Sequence, residues 1–445
     1  MSKVVRFVTL GCKVNQYETN AMAQKFLEKG YQIIEEITAE NEHINPDICI
    51  INTCTVTNMS DRKSRQMLRR MKEKNPNTIV VAVGCYAQVA KEELTKIPEI
   101  DLALGNNEKV EIVKYVENYI NTHIDNIELD DVMHSKEFSE FGDVTYTEKT
   151  RAVIKIQDGC DRFCSYCIIP YARGRVRSRK PESIISEITQ IASKGIKEVV
   201  ITGIHIASYG KDFAMSKESK LKNYKLIDLL EEINKISGIK RIRLGSIEPL
   251  LIDSNFVERL KKLEKICHHF HLSLQSGCDE TLQRMNRRYT IKQFEEIVKL
   301  LREAYNDVNL TTDIIVGFPG ETEEEFDKTY KFLEKIKFYK MHVFKYSPRK
   351  GTKAAIMQNQ ISGDIKEKRS KKLIELSDKN EKEYNKLYIG KKVEVLFEEE
   401  KNGMYKGHTQ NYIMAYCKSN ENLENCFKNV LCTDADIEHI VTIDS

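Results

Sequence analysis

The sequence predicts an α/β protein in three parts: a doubly wound parallel sheet, then six larger strand–helix units, then a small β-domain. Three observations lead there. Short β-branched runs alternate with amphipathic helical stretches through the first 120 residues or so. The same alternation resumes on a larger scale from Arg151. Beyond about residue 377 a helix gives way to short strands alone. The expected divisions are 1–130, 145–376 and 378–445.

In the first part, strands are expected at 4–10, 47–52, 78–83 and 101–104, and helices at 17–29, 60–74, 91–97 and 109–120. Apolar strands alternating with helices pack as a parallel sheet covered on both faces. Ligands of such sheets sit just outside the carboxyl ends of the strands. Three of the four strands run into a cysteine there: Leu-Gly-Cys12, Asn-Thr-Cys54 and Val-Gly-Cys85. Three distant thiols are thereby brought to one sheet edge. The alternative is three buried structural cysteines, since free Cys is among the most buried residue types. Cys49 lies inside the second strand and reads as core.

In the second part, strands are expected at 152–157, 198–202, 239–244, 269–274, 309–316 and 341–346, with helices at 183–193, 226–236, 255–265, 291–304 and 324–336. Ser183 is the expected cap of the first of these helices, and Glu321-Thr-Glu-Glu-Glu325 places carboxylates at the start of the last. Directly after the first strand comes Asp158-Gly-Cys-Asp-Arg-Phe-Cys-Ser-Tyr-Cys-Ile-Ile-Pro170. Cys160, Cys164 and Cys167 are close enough to hold one iron–sulfur cluster, whose irons each take a thiolate. Three thiolates leave one iron of a cubane open, and an open position is where a small molecule binds. A structural zinc ion with a distant fourth ligand such as His205 is the alternative, although zinc sites usually come as paired C-x2-C units.

The chain has 445 residues, 31% of them charged and 41% hydrophobic, with a net charge of +3 that alone argues for no class of partner. No apolar run reaches membrane-spanning length. The N-terminal stretch has no apolar h-region or cleavage site and reads as a strand. Twelve cysteines without a secretion signal point to a reducing compartment and to metal binding rather than disulfides. The expected location is the cytoplasm.

The C-x3-C-x2-C run resembles the radical S-adenosylmethionine (SAM) superfamily. Two tri-cysteine sites in this order are similar to its methylthiotransferase branch. The match extends through Thr-Leu-Gly-Cys12-Lys-Val-Asn-Gln-Tyr-Glu-Thr19, Cys54-Thr-Val-Thr57, Ser-Asp-Arg-Lys-Ser-Arg65, Gly-Cys85-Tyr-Ala-Gln88 and Pro170-Tyr-Ala-Arg-Gly-Arg175. It continues through Leu272-Ser-Leu-Gln-Ser-Gly277, Asp313-Ile-Ile-Val-Gly-Phe-Pro-Gly-Glu-Thr322 and Tyr346-Ser-Pro-Arg-Lys-Gly-Thr352. Within that branch, the residues after Cys12, Cys54 and Cys85 are most similar to enzymes acting on N6-threonylcarbamoyladenosine in tRNA.

The resemblance implies a partial (βα)6 barrel, with its active site at the carboxyl ends of the strands. It implies two [4Fe-4S] clusters and SAM as cosubstrate. The cluster on Cys160, Cys164 and Cys167 would cleave SAM to a 5′-deoxyadenosyl radical, and the one on Cys12, Cys54 and Cys85 would carry the sulfur to be methylated and delivered. A radical suits C2 of adenine, which offers neither an acidic proton nor a leaving group. Gly203 resembles the position where backbone approaches the SAM amino group, or is a turn glycine. Gln275 contacts SAM or the base, or merely finishes its strand. Strand alternation puts His269 and His271 on one face and His268 on the other, so these read as ordinary histidines. Cys267 and Cys278 read as structural.

Two basic runs flank the cysteine sites: Arg173, Arg175, Arg177, Arg179 and Lys180, and on the helix after Cys54, Arg62, Lys63, Arg65, Arg69, Arg70, Lys72 and Lys74. They read as phosphate contacts, with Arg65, Arg173 and Arg175 as candidates, or as solvated faces. Gly407-His-Thr-Gln-Asn-Tyr412 in the last part resembles the TRAM module, a small RNA-binding β-barrel, with His408 where the family more often has Tyr. The implied partners are a tRNA anticodon stem-loop and a reducing electron donor, not DNA or a membrane. The implied rivals are the same reaction on N6-isopentenyladenosine, a methylthiotransferase acting on a ribosomal protein, and a non-catalytic iron–sulfur RNA-binding protein.

Overall fold

The computed structural model describes residues 3–34, 44–124, 126–147, 150–215 and 218–444. The N-terminal sheet has six parallel strands, in the order Gln32–Ile34, Val4–Thr9, Ile48–Thr53, Ile79–Gly84, Leu102–Leu104, Asn126–Glu128. Alternation along Ile48–Thr53 shows why both faces are covered. Ile48 and Ile50 pack with Met22 and Phe26 of the helix Lys13–Glu28 and with Val113 and Val116. Cys49 and Ile51 pack on the other face with Leu68 and Met71 of the helix Asn58–Lys74. Cys49 is therefore core, as its place in the strand required. The two short outer strands were not expected from the sequence, because three residues carry too little periodicity to read. The helix expected at 91–97 is the shorter Lys91–Leu94, and an unexpected helix, Cys85–Val89, precedes it. The Cys85–Val89 helix begins on the cysteine itself, entered through Gly84 at φ +94°.

The central part bends six parallel strands into an open barrel. Glu198–Gly203 lies between Arg151–Asp158 and Arg241–Leu244, and Asn309–Val316 lies between His269–Gln275 and Lys340–Lys345. Single bridges, Ile242 to Ile266 and Ile247 to Leu272, join the two sets. One large apolar core fills the space between these strands and the outer helices. Thr290 and Thr322 each form a capping box, with Gln293 and Glu325 respectively. The helix expected from Ser183 starts instead at Pro181, whose fixed φ suits the first helical turn.

The helix Gly363–Lys386 leads into a closed five-stranded barrel formed by Lys392–Lys401, Met404–Thr409, Met414–Lys418, Phe427–Ala435 and Ile440–Asp444. The Gly407–Tyr412 segment, which carries the resemblance to the TRAM module, faces the foot of the central barrel. His408 is buried, bonds Glu398 and stacks on Tyr412 with ring centroids 4.6 Å apart. Tyr412 also meets the His269 ring and lies under the guanidinium groups of Arg151 and Arg243, at 5.4 and 4.4 Å. Desolvated cation–π contacts contribute about 2 kcal/mol or more. Tyr412→Ala is therefore expected to loosen the small barrel first, read as faster amide exchange of residues 392–444 than of the central strands.

Candidate functional site

The register explains why three distant cysteines meet. Thr9 pairs with Asn52, and Thr53 with Gly84, so the three neighbouring strands end level. Gly11, at φ +104°, lies so close to Cys54 that a Cβ there would sit 2.9 Å from the Cys54 sulfur. Asn15 stitches these ends together: its Nδ2 donates to the carbonyls of Leu10 and Thr53, at 2.7 and 3.0 Å. Ser64 closes on Cys54 from the next helix, accepting from its N–H and donating to its carbonyl. Cys12 is exposed, while Cys54 and Cys85 are buried. Burial pushes the Cys54 thiol up to about 11, and the charges of Cys85 and Cys12 add to this. Burial also raises the Cys85 thiol, opposed by Arg173. Each of the two buried thiols thus lies within electrostatic reach of another member of the trio.

The second trio stands at the mouth of the central barrel. Gly159, at φ +71°, permits the turn out of the first strand, and a Cβ there would lie 1.8 Å from the Arg175 carbonyl. The Cys160 N–H donates to the Gly174 carbonyl at 3.0 Å. The loop is held from across the barrel: Ser165 N–H donates to Met285 O at 3.1 Å, and Asn286 Nδ2 to Phe163 O at 3.0 Å. Arg287 donates from Nη1 to the Cys164 sulfur at 3.4 Å and from Nη2 to the Ser273 carbonyl. Burial raises the Cys160 thiol to about 11 and, with Cys164 beside it, Cys167 to about 12. Gly159→Ala forces strand and loop apart; the reconstituted chain is expected to lose about half of its iron, measured colorimetrically.

The donor chemistry fits iron–sulfur clusters. Each trio offers three thiols and one arginine N–H on a sulfur. Among the described residues, no three Cys, His, Asp or Glu side chains gather around a point where one ion would sit. A lone zinc ion draws its thiolates to about 2.3 Å, whereas a multi-iron cluster needs them at the corners of a larger body. His205, the alternative zinc ligand, is engaged elsewhere: its Nδ1 lies 2.7 Å from Ser208 Oγ and its Nε2 3.4 Å from Glu248.

The remaining candidates separate. Gly203 ends its strand where a Cβ would sit 2.9 Å from the Gln157 carbonyl, so close backbone approach requires glycine there. Gln157 Oε1 accepts from the His205 N–H, and its Nε2 donates to the Gly159 carbonyl, tying this strand end to the cysteine loop. Gln275 ends its strand at φ +72°, an unusual conformation for a non-glycine residue, directly after a bulge. Arg175 is exposed, 4.8 Å over the Phe163 ring, with Asp161 beside it. Arg65 bonds Tyr86 and Glu93, each at 3.2 Å.

Arg173 is a correction. It is fully buried, as are Arg177 and Arg179, so none of the three faces a phosphate. Its guanidinium is held by Glu18, Asn15 and the Cys85 sulfur. Arg62, Lys63, Arg69 and Arg70 are exposed on their helix, Lys72 is paired with Asp101 at 2.6 Å, and the Lys74 side chain lies outside the described residues. His269 and His271 both meet Thr311 Oγ1 at 3.0 Å, as their shared face required. Cys267 and Cys278 are buried.

His205 and Glu248 stand at strand ends, where such a barrel places its active site; what the sequence did not show is that they meet Arg162, whose Nη2 bonds Glu248. Burial resists ionisation of Glu248, but His205, Arg162 and Arg287 together hold its carboxyl below the usual range. These residues come from three separate strand ends, and no local spacing marks them.

Comparison with known proteins agrees with this geometry. Residues 154–333 match the radical SAM superfamily, and residues 4–105 match an uncharacterized protein family, UPF0004. The chain is 41% identical to the threonylcarbamoyladenosine tRNA methylthiotransferase MtaB of Bacillus subtilis, over 94% of this chain and 91% of that protein. It is also 41% identical to the enzyme of that name from Aquifex aeolicus, over 92% and 95%. To the tRNA-2-methylthio-N(6)-dimethylallyladenosine synthase of Caldicellulosiruptor saccharolyticus it is 35% identical, over 98% and 91%. A radical SAM methyltransferase, TsrM from Kitasatospora setae, shares the fold with a TM-score of 0.57 at 16% identity, covering 80% of this chain and 77% of that one. The chain belongs to the radical SAM methylthiotransferase family, and is an enzyme that transfers a sulfur-containing group with SAM and a [4Fe-4S] cluster.

Proposed function

We propose that this enzyme places a methylthio group on C2 of N6-threonylcarbamoyladenosine beside the anticodon of tRNA, using two [4Fe-4S] clusters. One observation carries the two-site reading: consecutive residues join the trios, the Arg173 side chain reaching the Cys85 sulfur and the Gly174 carbonyl reaching the Cys160 N–H. Cys160, Cys164 and Cys167 would hold one cluster and Cys12, Cys54 and Cys85 the other. When bound, the first supplies the electron for homolytic SAM cleavage and the second an open iron for the sulfur.

The chain's own residues bind, orient and exclude water around that space. Gly203 and Gln275 would line the SAM cavity beside Arg162, His205 and Glu248. Arg65 and Arg175 would meet the RNA, whose unstacked loop bases suit delivery to a pocket. The division 1–130, 145–376 and 378–445 separates the auxiliary-cluster, SAM and TRAM-like parts, with the electron donor a separate reductant. No described helix is long and apolar enough to cross a membrane; the cytoplasm is the proposed location, where tRNA is met.

The choice of base rests on the residues after the three N-terminal cysteines and on similarity to enzymes of that name. Nucleoside analysis of tRNA from a deletion strain tests it. Threonylcarbamoyladenosine is expected to lack its methylthio group there, while isopentenyladenosine keeps its own; the reverse pattern supports the rival substrate. Replacing Arg69 and Arg70 with Ala is expected to weaken tRNA binding and to reduce the slope of log affinity against log salt by about 0.7 for each phosphate no longer neutralised.

A further inference from the structure

We propose that Arg173 is a positioning residue for the second trio, fixing by its Nε–H donation to the Cys85 sulfur how readily the cluster held there is reduced. This rests on the reading that Cys12, Cys54 and Cys85 hold a cluster.

The Nε donates to Cys85 Sγ at 3.1 Å. Nη2 donates to Asn15 Oδ1 at 2.8 Å and to Glu18 Oε2 at 3.0 Å, and Nη1 to Glu18 Oε1 at 2.5 Å, with Asp158 Oδ2 at 3.4 Å. Asn15, Glu18 and Arg173 are buried, so the guanidinium plane has no freedom to leave the sulfur. From behind, Gly174 is locked at φ +74°, where a Cβ would meet the Val132 carbonyl at 2.1 Å.

The charge balance points the same way. Arg173, Lys109, Lys155 and Arg177 surround Glu18 and Asp158, so four buried cations share two carboxylates. Uncompensated buried charge is costly. Among the named groups, Cys85 as a thiolate is the neighbour that can supply further negative charge. Hydrogen bonds and nearby charge at the sulfurs set cluster potential: a donor and a surplus of cations stabilise the more negative, reduced state. Arg287 on Cys164 is the matching donor at the other trio, at 3.4 Å.

The test uses the full chain with Cys160, Cys164 and Cys167 replaced by Ala, reconstituted anaerobically so that only the second trio can bind a cluster. Redox titration followed by visible absorbance and electron paramagnetic resonance reads the potential directly. Losing a hydrogen bond to a charged group shifts an equilibrium by roughly tenfold. Arg173→Gln is therefore expected to lower the reduced-to-oxidised ratio about tenfold at fixed poise, about 59 mV for one electron. Arg173→Lys keeps the charge but cannot span Cys85, Asn15 and Glu18 together, so it should fall between, and Arg287→Lys should leave this potential unmoved. A cluster present at the parent potential in both Arg173 variants overturns the proposal alone. If Arg173→Gln does not fold, Arg173→Lys decides by the same titration. No iron bound by the parent would instead overturn the cluster reading beneath it.

Discussion

Cys12→Ala is expected to abolish methylthio transfer while leaving reductive cleavage of SAM to 5′-deoxyadenosine within about twofold of the parent; Cys164→Ala should abolish both. The asymmetry follows from the placement of the trios. Cys160, Cys164 and Cys167 occupy a loop held mainly from the central barrel, through Met285, Asn286 and Arg287. Cys12 belongs to the N-terminal sheet and contributes nothing to that loop. Its exposure also makes the substitution mild for folding, since no buried packing is removed. Chromatography of deoxyadenosine and of digested tRNA from the same reaction reads both activities. Loss of deoxyadenosine in Cys12→Ala would mean that the two sites do not work separately.

The second large effect is structural. Glu18→Ala is expected to destabilise the junction between the first two parts by about 3–5 kcal/mol, because it leaves buried cations without their partner. Glu18 is fully buried and bonds Arg173, Lys109 and Lys155, with 2.5 Å to Lys109 Nζ and 2.7 Å from Lys155. Burial opposes its charge, but Arg173, Lys109 and Lys155 hold the carboxyl well below the usual range. Its folded pKa is depressed, so its contribution is present above the unfolded carboxylate pKa of about 4.3 and is lost as pH falls below that. The parent should therefore lose stability steeply on acidification, and Glu18→Ala should start lower and fall less. Urea midpoints at neutral and acidic pH check both.

Much of this was legible because the signals are local or periodic. Strand ends carrying Cys12, Cys54 and Cys85 could be read because strands and helices differ in period, and the parallel sheet then forces their carboxyl ends together. The Cys160 loop is a contiguous motif. The basic run from Arg173 to Lys180 misled because charge alone does not say which side chains find buried carboxylates. Arg173 pairs with Glu18 and Arg179 with Glu187, and the first of these partners lies in a different part of the chain. Tyr412 likewise acts through Arg151, Arg243 and His269, which only the folded chain brings beneath it. His205 and Glu248 were legible as strand ends, but their bonding to each other and to Arg162 follows the same rule: convergence of separate strand ends leaves no spacing to read.

Iron and acid-labile sulfide per chain after anaerobic reconstitution measure the central claim directly. Two clusters predict about eight of each in the parent. About four should remain in Cys12→Ala and about four in Cys164→Ala, with little or none when both cysteines are replaced. A parent holding only four, all of them lost in Cys164→Ala and none in Cys12→Ala, would contradict the second site.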